Sequence, residues 1–505
     1  MTTPHFQNYS GQSVLMVNDK PFIGLAAECH NSSASSSAYM SKIVWPRVCA
    51  LNINTLLTPI YWEVVEPKKG QFDFSSVKDL ILSAQSNHVK LVLLWFGLWK
   101  NGRSDYVPEW LKQNSSTQYA QQRSGKHLYS ISPADRRTVD YDVKAFGKFM
   151  AYLKQIDADD STVIMVQVEN EVGLLTSDFN YSIDKESVLR TSLPTGLSEG
   201  RSETWLSQFG SQAGEYYMAW LYASAIERIA FEGKKHYSLP LYVNSWLEKP
   251  LGQPGTYPTG GPTARMLKFW KKVAVSIDLV APDLYVPNFK EVCDEFSAPQ
   301  STLLIPETRQ DLQTVSNLIY GISHYNLCLF SPFGAEDFFS KDVISDSRLL
   351  NAISIDADAF DWHQTGPVLA QTYSLLSGLV PLLVQKRQLP QMHSFRIAQP
   401  ADRGRRVKLS NCEVIVHFSK QAENNSPSAG FILELTPEEF IFCGVNIRIE
   451  LEALNQEKSI GLLKLEEGRM KDGEWHTGRV LNGDERVNIE INAIPKLLKI
   501  KTHVY

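Results

Sequence analysis

The chain has 505 residues, too many for one compact core and enough for a barrel of a few hundred residues followed by something smaller. Hydrophobic residues at 43% and charged residues at 21% describe a globular protein with ample apolar surface to bury, and argue against a disordered chain. A formal net charge of -5 gives no polyanion-seeking field, so nucleic acid and anionic membrane surfaces are poor partners and a neutral or small ligand fits better.

The first residues, Met1-Thr2-Thr3-Pro4-His5, lack the basic and apolar regions of an export signal, and no apolar run approaches the roughly 18 residues of a membrane span. The expectation is a cytoplasmic protein without membrane partners. Asn-x-Ser tripeptides at Asn8, Asn31, Asn114, Asn180 and Asn424 leave secretion of a trimmed precursor open. The cysteines (Cys29, Cys49, Cys293, Cys328, Cys412, Cys443) show no C-x-x-C spacing, and several sit in apolar runs as small hydrophobes. Neither a zinc site nor a disulfide framework is expected, and no metal or cofactor is called for. Aromatic residues are abundant, and flat rings suit stacking on the C–H faces of sugars, although most belong in a core.

In chain order, Ser13–Val17 and Pro21-Phe22-Ile23 flank Asn18-Asp19-Lys20, a hairpin turn that would plug the bottom of a barrel. Eight apolar runs then alternate with amphipathic stretches: 22–27, 55–58, 91–95, 163–168, 241–244, 279–282, 303–305 and 327–330. Between them, Val77, Leu80, Ile81 and Ala84 share one helical face, as do Phe146, Phe149, Met150 and Leu153. Eight βα units close a (β/α)8 TIM barrel, whose active site lies at the C-terminal ends of the strands. After residue 385 the helical rhythm stops and short alternating runs such as Cys412–Phe418 take over. The expected organisation is α/β: a barrel catalytic domain over 1–385, then a smaller all-β, sandwich-like domain over 386–505. Within the latter, 421–430 reads as a long surface loop.

The fourth run ends in Gln167-Val168-Glu169-Asn170-Glu171-Val172-Gly173, which brings two acids and an amide to the barrel mouth. In extended chain Glu169 and Glu171 would point the same way and Asn170 the other. Acids that follow an apolar run are either functional or buried beside a cation. The seventh run ends in Ile305-Pro306-Glu307-Thr308-Arg309, where Pro306 suits a strand end and sets Glu307 at the rim. A structural Glu307–Arg309 pair is the alternative to a catalytic Glu307. Two carboxyls about 5 to 5.5 Å apart are what double displacement at an anomeric carbon requires.

Gln-Val-Glu-Asn-Glu before a Gly resembles the acid/base motif of family 35 β-galactosidases, within a wider clan of retaining barrel hydrolases. The likeness extends to Tyr61-Trp62-Glu63-Val64-Val65-Glu66-Pro67 and Gly70-Gln71-Phe72-Asp73-Phe74, and covers roughly 13–385. The resemblance implies that Glu171 is the general acid/base, that Asn170 holds the sugar 2-hydroxyl, that Glu307 is the nucleophile, and that Tyr285 in Pro282-Asp283-Leu284-Tyr285 hydrogen-bonds it. Tyr61, Trp62 and Trp99, with Asn244, Trp246 and Glu336, are further candidates for the sugar subsite, either gripping a hydroxyl or supporting a residue that does. Glu28, His30, Asn101 and Asp337 are weaker rim positions. Where the family shows Ala-Glu-Trp after strand three, this chain has Trp99-Lys100-Asn101, which unsettles the sugar rather than the mechanism. The C-terminal module resembles the β-rich appendage of a divergent family 35-like branch, its apolar strands free to pack on the barrel or on another subunit. The implied function is an exo-acting, retaining β-galactosidase on an oligosaccharide or glycoside. The alternatives are a β-glucosidase, β-mannanase or arabinosidase of the same clan, or a carbohydrate-binding barrel without catalysis; a homo-oligomer is left open.

Overall fold

The computed structural model describes residues 2–9, 11–197, 203–248, 251–340, 357–397, 401–419, 426–471 and 473–505. Eight parallel strands close a barrel in chain order: β1 (Gly24–Glu28), β2 (Thr55–Tyr61), β3 (Lys90–Lys100), β4 (Val163–Asn170), β5 (Leu241–Ser245), β6 (Leu279–Leu284), β7 (Leu303–Thr308) and β8 (Leu327–Pro332). All eight apolar runs are therefore strands, most extended beyond their apolar part to the rim residues.

The strands read as continuous apolar runs because both faces are covered. Leu57, Val92, Leu94 and Leu304 pack inside the barrel, while their neighbours Leu56, Leu91, Leu93 and Leu303 pack outward against the helices. The helix Ser75–Ser86 buries Val77, Leu80, Ile81 and Ala84, and the helix Arg136–Asp157 buries Phe146, Phe149, Met150 and Leu153. Asp135 caps the latter, its carboxylate accepting from the Thr138 N–H at 3.3 Å.

The N-terminal hairpin turns through Asn18 (φ 52°) and Asp19 (φ 60°), the left-handed pair that a two-residue hairpin turn needs. It sets Leu15 and Val17 against the barrel interior, closing the bottom. A strand ahead of it, His5–Tyr9, pairs with Gln12–Val17, which the sequence had not suggested.

The last helix of the barrel ends at Lys386 and strands resume at Met392, with one short helix, Asp484–Val487, among the strands that follow. One sheet runs in the order Met392–Arg396, Ala429–Thr436, Glu439–Val445, Lys496–Val504, Ile460–Lys471, Glu474–Val480; the other runs Gly404–Lys408, Cys412–Phe418, Ile447–Ala453, Ile489–Ile491. Val414, Val416, Ile432, Phe442 and Ile500 fill the space between the sheets, as in a sandwich. Phe431, Leu433, Ile441 and Leu497 face the other way and join the core of the barrel helices, so the larger sheet is buried on both sides.

The loop expected over 421–430 is corrected in part. Residues 421–425 lie outside the described residues, but Ser426 and Ser428 are buried and Ala429 opens a strand. The Ser428 hydroxyl donates to the Asn446 carbonyl and Ser316 donates to the Pro427 carbonyl, which ties this stretch to the helix Gln313–His324. Five cysteines are buried and Cys49 is exposed, all as free thiols. Among the described residues no single helix is long and apolar enough to cross a membrane.

Candidate active site

The site is assembled where β4, β5, β6 and β7 end. Glu307 closes β7 with little exposure, and three donors converge on its carboxylate. The Tyr285 hydroxyl lies 3.0 Å from Oε2, while Asn170 Nδ2 and Asn244 Nδ2 lie 3.5 and 3.4 Å from Oε1. Arg309 does not pair with Glu307. Its guanidinium turns to Asp311 at 2.6 Å and to the Tyr285 carbonyl at 3.2 Å, so the structural Glu–Arg pair is absent.

Glu171 follows β4. Its N–H donates to Asn244 Oδ1 at 2.8 Å, so one amide side chain touches both the Glu171 backbone and the Glu307 carboxylate. Burial, and then the charge of Glu307, push the Glu171 carboxyl up to about 7, against the lowering influence of Lys100. Asp283 stands beside Glu307 in register across β6 and β7, accepts from Asn244 Nδ2 at 2.9 Å, and hydrogen-bonds Glu171. Its pKa is raised by burial first and then by the Glu307 and Glu171 charges.

The expected side-chain directions at the end of β4 are corrected. Glu169 (φ 62°) and Glu171 (φ 46°) both lie in the left-handed region, which breaks strand alternation and sends the two acids apart. Glu171 and Asn170 face the barrel mouth, whereas Glu169 is fully buried behind it. There its carboxyl accepts from the Leu98 and Trp99 N–H groups at 3.0 and 2.6 Å and hydrogen-bonds Asp142. The reason lies in β3, whose pairing with β4 breaks between Trp95 and Lys100 and frees those N–H groups for Glu169. A Cβ at Gly97 would overlap the Glu169 carboxylate, so this packing requires glycine there.

Two of the aromatic candidates for the sugar subsite are wholly buried. Trp62 and Trp99 have no exposed surface; their indole N–H groups bond Glu66 Oε2 at 2.8 Å and the Ile131 carbonyl at 2.9 Å. Both are core residues, turned away from the mouth. Tyr61 is buried and stacked on Tyr106 with ring centroids 5.7 Å apart. Trp246 follows β5 half-buried, and its carbonyl accepts from the Ser245 hydroxyl at 3.1 Å.

On the opposite wall Glu336 accepts from the His30 N–H at 3.1 Å and from the Ser33 hydroxyl, and Asp337 meets the His30 ring at 3.0 Å. Glu28 is buried beneath them. Desolvation first, then the Glu307 charge, raise its carboxyl well above the usual range, while Lys100 opposes the shift. Lys100 Nζ lies 2.9 Å from Asn170 Oδ1, so the residue that departs from the family pattern is inside the site and not beside it. Asp283 and Lys100 are the site residues that sequence reasoning undervalued. The criterion that singled out Glu169, an acid within an apolar strand, applied equally to Asp283. Among the described residues no group of three or more His, Cys, Asp or Glu side chains is placed to hold a metal ion.

The description "Glycosyl hydrolases family 35" matches residues 14–201, and a "Domain of unknown function (DUF5597)" matches 369–492. The first spans the end of β4, with Asn170 and Glu171, and stops before Glu307. A β-galactosidase of Xanthomonas manihotis is 26% identical over 197 residues, which is 37% of this chain and 30% of that protein. Among solved structures, a β-galactosidase from Rahnella sp. R3 is similar at 13% identity and a TM-score of 0.46, over 72% of this chain and 57% of its own. Another, from Bacillus circulans sp. alkalophilus, is similar at 14% and 0.49, over 74% and 58%. The catalytic domain of a β-amylase from Paenibacillus polymyxa reaches 13% and 0.45, over 72% and 98%. No TM-score here reaches 0.5, and it is the closed eight-stranded barrel itself that establishes the architecture. With a family 35 match confined to residues 14–201, a closed eight-stranded barrel and a β-rich part behind it, the chain has a fold like that of family 35 glycosidases.

Proposed function

We propose that this protein is a retaining β-glycosidase, with Glu307 as nucleophile and Glu171 as general acid/base, acting on terminal β-linked galactose. One observation carries the reading: Asn244 bonds both the Glu171 backbone N–H and the Glu307 carboxylate, and the surroundings of the two acids differ in kind. Three donors aim at Glu307, which positions an attacking oxygen, while Glu171 is buried beside a like charge, which keeps a proton on it near neutrality. A Glu307 oxygen attacks C1 of the sugar as Glu171 gives its proton to the departing glycosidic oxygen. Water then attacks C1 of the glycosyl ester, surrenders a proton to Glu171, and frees the Glu307 carboxylate.

Galactose is the sugar of choice because family 35 matches the first half of the barrel and the matched Xanthomonas protein is named a β-galactosidase. Lys100 favours a second specificity within the same chemistry, since a buried ammonium stands next to Asn170, the residue proposed to hold the 2-hydroxyl. A panel of aryl glycosides differing only at C2 and C4 separates the two. Glu307→Gln is expected to abolish turnover of activated and unactivated glycosides alike. A slow 2-fluoro-glycoside should leave its label, seen by mass spectrometry, on the peptide containing Glu307; a label elsewhere refutes the assignment.

A further inference from the structure

A cleft of about 750 Å³ opens between the barrel and the β-rich part, away from the site described above. Its charged lining is Lys290, Arg396, Arg405, Arg406 and Lys408, against the single carboxylate of Glu291. Three of the cations are neutralised: Lys290 by Asp294, Arg405 by Asp402 at 3.3 Å, and Arg406 by Glu413 and by Glu452 at 3.0 Å. Arg396 and Lys408 form no ion pair among the described residues. Arg396 is the more telling of the two. Among the described residues its buried Nε has no hydrogen-bond partner, and Nη1 donates to the neighbouring Ile397 carbonyl at 3.3 Å. Burial pushes its pKa down, and the Phe289 ring lies 5.9 Å from the guanidinium carbon. A cation held this way costs the fold stability unless something answers its charge. In the same cleft His393 also has a buried Nε2 without a partner.

We propose that this cleft binds the anionic segment of an acidic glycan, with a carboxylate or sulfate seated against Arg396 and Lys408. The volume is that of an organic ligand, far larger than a lone inorganic anion needs. Pro287 lines the cleft two residues beyond Tyr285, a span of at most about 7 Å of extended chain. A glycan whose terminal sugar occupies the mouth can lay a charged unit in the cleft. Arg396 and Lys408 supply the charge and donors for such a group, and an arginine fork matches a carboxylate or sulfate in shape. The choice of a glycan as carrier of the charge rests on the glycosidase reading; the anion site itself does not.

The test is calorimetric titration at low ionic strength, on protein carrying Glu307→Gln so that no ligand is consumed. The probes are a tetragalacturonide, a sulfated oligosaccharide of similar length, a neutral galactotetraose and inorganic sulfate. One or both acidic oligosaccharides should bind at least tenfold more tightly than the neutral one and than sulfate, and which of them binds identifies the anion. Added salt and each of Arg396→Gln and Lys408→Gln should weaken that binding tenfold or more. Because Arg396 forms no ion pair among the described residues and Glu291 acts on it only at a distance, less than its burial costs, Arg396→Gln should melt no lower than its parent. Absence of binding by both acidic ligands, preference for the neutral ligand or for bare sulfate, indifference to both substitutions, or a melting temperature several degrees lower for Arg396→Gln would each overturn the proposal. Failure of the glycosidase reading shows separately, as silence of the unmutated protein on every aryl glycoside.

Discussion

At the scale of single residues, the site turns on how protons are shared among crowded acids. Glu171 is raised to about 7, and the Asp283 beside it is pushed up as well, by burial first and then by the charges of Glu307 and Glu171. The proposed mechanism needs the proton on Glu171, so kcat/KM should fall as pH rises through about 7. Glu171→Ala should remove that limb. It should cripple hydrolysis of an alkyl glycoside while sparing glycosyl-enzyme formation from a dinitrophenyl glycoside, and azide should restore turnover as the β-glycosyl azide. The same pattern in Glu169→Ala instead would move the acid/base role two residues back. In that mechanism the proposed role of Asp283 is to act through Glu171 as a positioning residue. Its hydrogen bond lowers the Glu171 pKa, so Asp283→Leu should shift the alkaline limb to higher pH, whereas Asp283→Asn, still able to donate, should leave it in place. A loss of activity with the limb unmoved in both variants would reduce Asp283 to a packing role.

At the scale of elements, the end of β3 shows why local pattern and side-chain direction part company. Strand periodicity placed Glu169 and Glu171 on one face, but the break in β3–β4 pairing leaves the Leu98 and Trp99 N–H groups without ladder partners. Glu169 satisfies them, and the positive φ at Glu169 and Glu171 is the conformational consequence. The same distortion turns Trp99 outward, where its ring meets Tyr222 edge-on at 5.1 Å, and leaves Lys100 facing Asn170. We therefore propose a packing role for Trp99. Trp99→Ala should cost about 3–5 kcal/mol of stability, the usual loss for a buried aromatic, with KM unchanged in the fraction that remains folded. A raised KM at full stability would restore Trp99 to the sugar subsite. No reading of this one sequence could have placed the indole, because the strand break that turns it is a contact between residues some 70 positions apart.

At the scale of the whole molecule, the β-rich part is built into the barrel's core and is not an appendage on a linker. The larger sheet packs Phe431, Leu433, Ile441 and Leu497 into the cluster that contains Val315, Leu318 and Ile322 of the helix Gln313–His324. Arg387, almost wholly buried, ties the chain leaving the last barrel helix to the Leu327 carbonyl at 2.7 Å and to Gln12 Oε1 at 3.2 Å. Removing residues 392–505 should therefore expose a hydrophobic face on the helix Gln313–His324, and yield a barrel that aggregates or binds a hydrophobic dye. A soluble, active truncation would show that the two parts are independent. What the sequence determined by itself was the set of eight strands, the change to β structure after the barrel, and the acids emerging at strand ends. These are written in short-range periodicity, which burial on one or both faces imposes on neighbouring residues. Which acids meet, which aromatic rings are core, and where the unpaired Arg396 lies were decided only by the tertiary structure. Each depends on backbone breaks and on contacts between chain segments distant in sequence, and one chain read alone carries no local signal for them.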